Sequence, residues 1–357
     1  MNNVETTPRI TKETKNKIRV DFERTPLMER LQAKFLNTFF FKKVFVYLFK
    51  FLFLLGISYV ILFPFYSKIA SSFMSPSDFV DVTVRLIPKQ PTLGTYKAII
   101  LDNSYFKAFA NTLLLSGACA ILQTFVCCVV GYGFAKFKFK GNGLLFLLVI
   151  FTMVVPHSTI RLSMFMKFRY FDIFKIGEVG GLFNLLGGGV FDWLNILPDT
   201  SISLLNTMWP LIIMSATGLA FKNGLYIFML RQFFRGVPDE LEESAYLDGS
   251  GVFRTFFQII LPLSVPMLIT VFMFAFSWQW TDNFYSEVFY TIGGPTMMPD
   301  IIKVPKSLDT KYAGENMYVA AIRNTCGILI LLPLLILYSF MQRYIIQGIE
   351  RSGLTAE

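Results

Sequence analysis

Residues 238–266 read PDELEESAYLDGSGVFRTFFQIILPLSVP, and the first half of that stretch predicts a short acidic helix. Pro238 suits a helix start, where its missing N–H would have had no acceptor. Asp239, Glu240, Glu242 and Glu243 fill the first turns, where the exposed amides and the helix dipole favour anions. Leu241 and Ala245 fall on one face. Gly249 follows Asp248 and can take the left-handed backbone that ends a helix. Five acids within ten residues, in a chain of formal net charge +9, predict a docking surface. Its partner should be basic or should offer helix donors.

Working outward, the acidic stretch is embedded in apolar sequence. Hydrophobic residues make up 54 % of the 357, charged ones only 16 %, and mean hydropathy is +0.53. A soluble domain carries about a quarter charged residues, so the composition predicts an all-α integral membrane protein. A bilayer crossing needs about 20 apolar residues in a helix. Six stretches approach that: Val44–Phe65, Ala108–Ala135, Leu144–Val155 ended by Pro156, Thr207–Leu230, Ile259–Phe276 opened by Pro262 and Pro266, and Cys326–Ile345 with Pro333 inside. Residues 1–43 read as a basic tail and 44–350 as the transmembrane domain, with the acidic loop at 237–258 between the fourth and fifth spans.

Lysine and arginine set the orientation. Residues 1–43 hold ten of them, and the short loop FAKFKFKG, residues 134–141, places three lysines beside two spans. Positive charge of this kind marks the cytoplasmic side, so both termini and the acidic loop are expected there, in a multi-pass plasma-membrane protein in contact with lipid. The polar and basic residues before the first apolar run argue against a cleaved signal peptide. Residues 1–24 are polar and are expected to be mobile. From Thr25-Pro26, residues Leu27, Leu31, Phe35 and Phe39 share a helical face. That pattern fits an amphipathic helix along the inner leaflet or a cytosolic extension of the first span. On the opposite side, residues 157–206 form a long segment, apolar in patches (FNLLGGGVFDWLNIL, 183–197), expected as short helices at the outer interface.

Glu243-Ser244-Ala245, Asp248-Gly249 and Ile259-x-Leu261-Pro262 together resemble the EAA signature of binding-protein-dependent transport permeases. PTLGTYKAII (91–100), NTLLLSGACAILQTFVCCVVGYGFAKFKFKG (111–141), FMLRQFFRGVPDELEESA (228–245) and QRYIIQGIERSG (342–353) resemble the carbohydrate branch of that family. The likeness covers roughly residues 57–353 outside the expansion between Pro156 and Leu205. It implies a type I ABC importer permease fold of six transmembrane helices, an amphipathic N-terminal helix and a cytoplasmic coupling helix. By the same resemblance Glu242, Glu243, Ser244, Ala245, Asp248 and Gly249 couple to the ATPase. Glu243 is the acid that pairs with it, and Gly249 is the glycine that turns the loop. Ser244 replaces the usual alanine. The partners implied are a second related permease, two ATP-binding subunits and an extracellular solute-binding protein that delivers an oligosaccharide. No GxxxxGK[ST] phosphate loop occurs in the chain. Hence no enzymatic ATP site or cofactor is expected here; ATP and Mg belong to the partner ATPase.

Two groups of residues suggest a substrate path. Lys222 and Asn223 lie inside the expected fourth span, where polar residues face a cavity or another helix. One reading has them bonding sugar hydroxyls; the other has Lys222 satisfying backbone at a kink or pairing with the second permease. Trp278, Trp280, Asp282 and Asn283 lie in SWQWTDNFY, residues 277–285. This run is similar to a tryptophan-Asn-Asp motif of the family, with Thr281 where asparagine is common. The rings suit sugar faces and the polar groups suit hydroxyls, although tryptophan also collects at membrane interfaces. The single histidine, His157, reads as a packing residue, and Cys119, Cys127, Cys128 and Cys326 read as small helix-packing residues without metal-ligand spacing. A basic nucleic-acid face is excluded, because the positive charge lies between apolar runs. A permease for a glycerol phosphate ester is the nearest alternative. An ion-coupled secondary transporter would need acids within the spans, and these have none.

Overall fold

The computed structural model describes residues 10–13, 19–22, 38–171, 202–291, 293–311 and 314–353. Leu27, Leu31 and Phe35 of the expected amphipathic helix, and the run 183–197, lie outside the described residues. Two units divide at Lys68 and Ile69.

The first unit holds two strands, β1 (Ile10–Glu13) and β2 (Arg19–Phe22), paired antiparallel with Ile10 opposite Phe22 and Glu13 opposite Arg19. These eight residues are the part of the polar segment 1–24 that lies within the described residues. Ile10, Thr11 and Val20 are β-branched and favour extended backbone. The helix α1 (Thr38–Ser72) begins in this unit and ends in the second. Its 35 residues reach about 50 Å at 1.5 Å per residue, longer than the expected 44–65 at both ends. Phe45, Phe49, Phe53 and Val60 are exposed along it, as a lipid-facing helix requires.

In the second unit, α2 (Gly94–Asp102) leads to α3 (Tyr105–Lys136), the central element. One face of α3 is a buried stripe of small and polar residues: Ala108, Thr112, Ser116, Cys119, Ala120, Gln123, Cys127 and Gly131. The opposite face exposes Leu114, Ile121 and Phe125. Between lipid-immersed helices apolar area drives little association, and small residues permit close packing instead. Gly131 shows how close: a Cβ there would lie 2.9 Å from Leu230 Cβ. All four cysteines are buried and free, as expected of packing residues.

Helix α4 (Asn142–Val154) stops at Pro156, as expected. A 3₁₀ turn at His157–Ile160 then leads into α5 (Arg161–Arg169), turned by 89° from α4. Phe171 and Ile202 exchange backbone hydrogen bonds of 3.1 and 2.9 Å, joining the two ends of the expanded segment.

The fourth expected span, Thr207–Leu230, is not continuous. It divides into α6 (Trp209–Ala216) and α7 (Asn223–Arg235). Between them Gly218 (φ +78°) and Lys222 (φ +69°) adopt left-handed backbone, which no α-helix accommodates. A run of apolar residues cannot reveal such a break. Helix α8 (Glu240–Leu247) follows. Then α9 (Val252–Leu263), with a π-helical turn at Phe256–Ile260, meets α10 (Val265–Trp280) at a 74° bend. A short α11 (Phe284–Phe289) precedes α12 (Glu315–Gly353), a single helix with Pro333 inside.

Helix α3 packs along α7, α10 and α6, and α10 packs along α12. Among the described residues three helices are long and apolar enough to cross a bilayer, or five if each bent pair counts as one span.

Candidate functional site

Helix α8 has an inner and an outer face. Ala245 and Glu242 are buried, whereas Glu243, Ser244, Leu247 and Asp248 are exposed. The inner face is fastened to the end of α3. Lys136, the last residue of α3, has a side chain only 6 % exposed. Its ammonium donates to the Val237 carbonyl at 2.7 Å and to Asp239 Oδ1 at 2.5 Å. Glu242 Oε1 lies 3.6 Å away, an ion pair without hydrogen-bond geometry. The hydroxyl of Tyr132, one turn earlier on α3, donates to Glu242 Oε2 at 3.4 Å. The Tyr132 ring also packs on Phe256 of α9, with centroids 4.8 Å apart. The hydrogen bond from Lys136 holds the Asp239 carboxyl below its usual range.

Both ends of α8 are built by local chemistry. Acids fill the first turn, where the dipole stabilises them. At the other end Ser250 N–H donates to Ala245 O at 2.9 Å and Gly249 N–H to Tyr246 O at 3.0 Å. Those two bonds make a Schellman cap. Gly249 sits at φ +78°, a conformation that costs other residues about 1–2 kcal/mol.

The six residues expected in this loop therefore divide. Glu243, Ser244 and Asp248 lie on the free surface, Gly249 shapes the turn, and Glu242 and Ala245 face inward. Sequence reasoning missed Lys136 and Tyr132, which were read only as part of a basic loop and an apolar span. It also missed two exposed apolar side chains beside the acids, Leu247 (89 % exposed) and Phe253 (80 % exposed).

The expected path residues also separate. A cavity of about 320 Å³ opens between the end of α4 and the break before α7, with Thr152, His157, Phe221 and Lys222 in its wall. Lys222 Nζ sits 4.5 Å from the Phe221 ring centroid and 4.9 Å from that of Trp278, within cation–π range. His157 Nδ1 and the Tyr285 hydroxyl share a hydrogen bond of 2.7 Å. This places His157 in the wall as well as in the packing expected of it. Asn223 is 1 % exposed and is not part of that wall.

Trp280 is a packing residue, contrary to the expectation that it lines a path. It is fully buried and stacks on Phe276, and its Nε1–H donates to Ile330 O at 3.0 Å. Trp278 is 51 % exposed, its ring held against Lys222 and Phe221. Asp282 caps α11 by accepting from the backbone N–H of Ser286 at 3.1 Å and of Tyr285 at 3.3 Å. Burial raises its carboxyl to about 6. Asn283 is exposed and donates to Glu287 at 2.8 Å.

A multi-pass helical bundle with broken spans and an acidic helix latched beneath its central helix is a membrane permease of the type I ABC importer fold. Residues 128–351 match the family described as binding-protein-dependent transport system inner membrane component, and the chain belongs to it. It is 27 % identical to a putative ABC transporter permease protein, ORF2, of Caldicellulosiruptor sp. (strain Rt8B.4), over 80 % of this chain and 88 % of that one. It is 26 % identical to the arabinooligosaccharides transport system permease protein AraQ of Bacillus subtilis (strain 168), over 85 % and 93 %. A solved bacterial ABC transporter involved in import of the acidic polysaccharide alginate contains a chain of similar fold. The TM-score is 0.62 and the identity 18 %, over 84 % of this chain and 96 % of that one.

Proposed function

We propose that this chain is a permease subunit that carries an oligosaccharide across the plasma membrane, taking its power from separate ATPase subunits through α8. The single observation that carries the reading is the two-faced α8. Its inner face is tied to α3 through Lys136 and Glu242, while Glu243 and Leu247 stay exposed. A force applied to the free face then reaches the central helix rather than being absorbed by a loose loop. The relative named for arabinooligosaccharides supports the substrate class.

In this reading both termini and α8 are cytoplasmic. Two ATP-binding subunits hold ATP and Mg, and a second permease completes the path. An extracellular solute-binding protein delivers the sugar. The test is copurification of the ATPase with the native chain, with Glu243→Lys and with Gly249→Pro, scored beside membrane insertion and ATP-driven uptake. Both variants should insert normally, lose most ATPase association or coupling, and fail to transport. Full uptake by both would end the proposal.

A further inference from the structure

The cavity before α7 carries a charge that a neutral sugar does not require. Lys222 extends its ammonium between two aromatic rings, and among the described residues no carboxylate pairs with it. The nearby acids are otherwise engaged. Asp282 caps α11, and Glu287 holds Arg161 at 3.8 Å and Asn283 at 2.8 Å. Lys222 also holds left-handed backbone at φ +69°, a conformation that is unfavourable for a non-glycine residue and persists only where the surroundings enforce it. A cation held against two aromatic rings with no carboxylate to balance it is open to an anionic ligand.

Around it the wall offers what a sugar ring needs. Phe151, Val155, Leu219 and Leu225 make it largely apolar, a surface for ring C–H groups, while Trp278 holds the ammonium from the neighbouring pocket. The Thr152 hydroxyl and the His157 ring lie in the same wall. His157 Nδ1 is occupied by Tyr285, leaving Nε2 for a hydroxyl. We infer that this cavity takes the carboxylate of an acidic sugar unit, with Lys222 as its counter-ion. A phosphate monoester carries about −1.5 to −2 at neutral pH. One lysine among apolar walls would leave part of that charge unbalanced, so the single cation favours a singly charged carboxylate. The inference rests on the reading of the chain as a sugar permease and names the class of sugar.

The test uses the assembled importer, both permeases and the ATPases together, in lipid nanodiscs. Equilibrium binding of radiolabelled trigalacturonate, of its methyl ester and of glycerol 3-phosphate is measured for the native complex, Lys222→Gln and Lys222→Arg. The native complex should prefer trigalacturonate over the uncharged ester by about ten-fold, the scale of one charge-assisted hydrogen bond. Lys222→Gln should reduce that preference below two-fold, and Lys222→Arg should keep most of it.

Equal binding of acid and ester, binding of neither, or stronger binding of glycerol 3-phosphate overturns the inference. So does a preference that survives Lys222→Gln. Loss of the second permease from the purified Lys222→Gln complex also overturns it, by assigning Lys222 to a subunit contact. ATP hydrolysis stimulated by the loaded solute-binding protein is recorded in the same discs. If it persists while the charge preference is absent, only the acidic-sugar inference falls; if it is absent in the native complex, the permease reading itself falls.

Discussion

Replacing Lys136 by Met should loosen α8 without unfolding the bundle. Met fills the alkyl volume of the lysine but leaves Glu242 as a carboxylate with a side chain only 10 % exposed. Breaking a buried pair from one side costs about 3–5 kcal/mol, most of it the unpaired charge left behind. The Val237 carbonyl loses its 2.7 Å donor as well, worth about 1 kcal/mol. Exposed Asp239 adds nothing to the reckoning. Tyr132 still donates to Glu242 at 3.4 Å, and water can reach the opened helix, so the low end applies. About 3 kcal/mol is roughly a hundred-fold in the population of locally opened α8.

Amide hydrogen exchange over residues 240–247, in the purified importer, measures that population directly. Sugar transported per ATP hydrolysed should fall in the same variant. The double variant Lys136→Met/Glu242→Gln removes the orphaned charge and should recover most of the lost protection, a coupling that distant sites would not show. Exchange unchanged within three-fold in Lys136→Met, or a double variant as open as the single one, would refute the latch.

Other expectations follow from single positions. Gly249 holds φ +78° with open space where a Cβ would go. Gly249→Val should therefore cost more coupling than Gly249→Asn, because asparagine tolerates left-handed backbone; uptake rates compare them. At Gly348 a Cβ would lie 2.9 Å from Pro266 O on α10, so Gly348→Ala should push α12 from α10 and lower the midpoint of thermal unfolding, by about 1–3 kcal/mol of overpacking. Asp282, raised from 3.8 to about 6 by burial, favours the folded state most when protonated. Its contribution is complete below about pH 4 and is lost as pH rises through 6. Asp282→Asn, which keeps an acceptor for the cap, should flatten thermal stability across that window.

Reading outward from the acidic stretch found α8 nearly to the residue, because proline, acids and glycine act through local backbone chemistry. The helices α3 and α12 were legible too, as long apolar runs without internal glycine signals strong enough to stop them. The break between α6 and α7 was not. Its two left-handed residues are Gly218 and Lys222, and a lysine in that conformation has no signature in sequence. The right-angle turn after Pro156 was legible as a stop but not as a direction.

Composition and spacing by themselves marked a membrane protein and the bounds of its short acidic helix, and the resemblance to the EAA signature marked the family, since hydropathy and caps are properties of neighbouring residues. Tertiary structure alone decided which acids of that helix are free. Glu242 and Glu243 are adjacent and chemically alike. One turns inward to Lys136, more than a hundred positions away along the chain, and the other stays exposed. The same holds for Trp278 and Trp280, two residues apart, one half exposed and the other fully buried. Helix rotation against a neighbour separates such pairs, and the neighbour is distant in sequence.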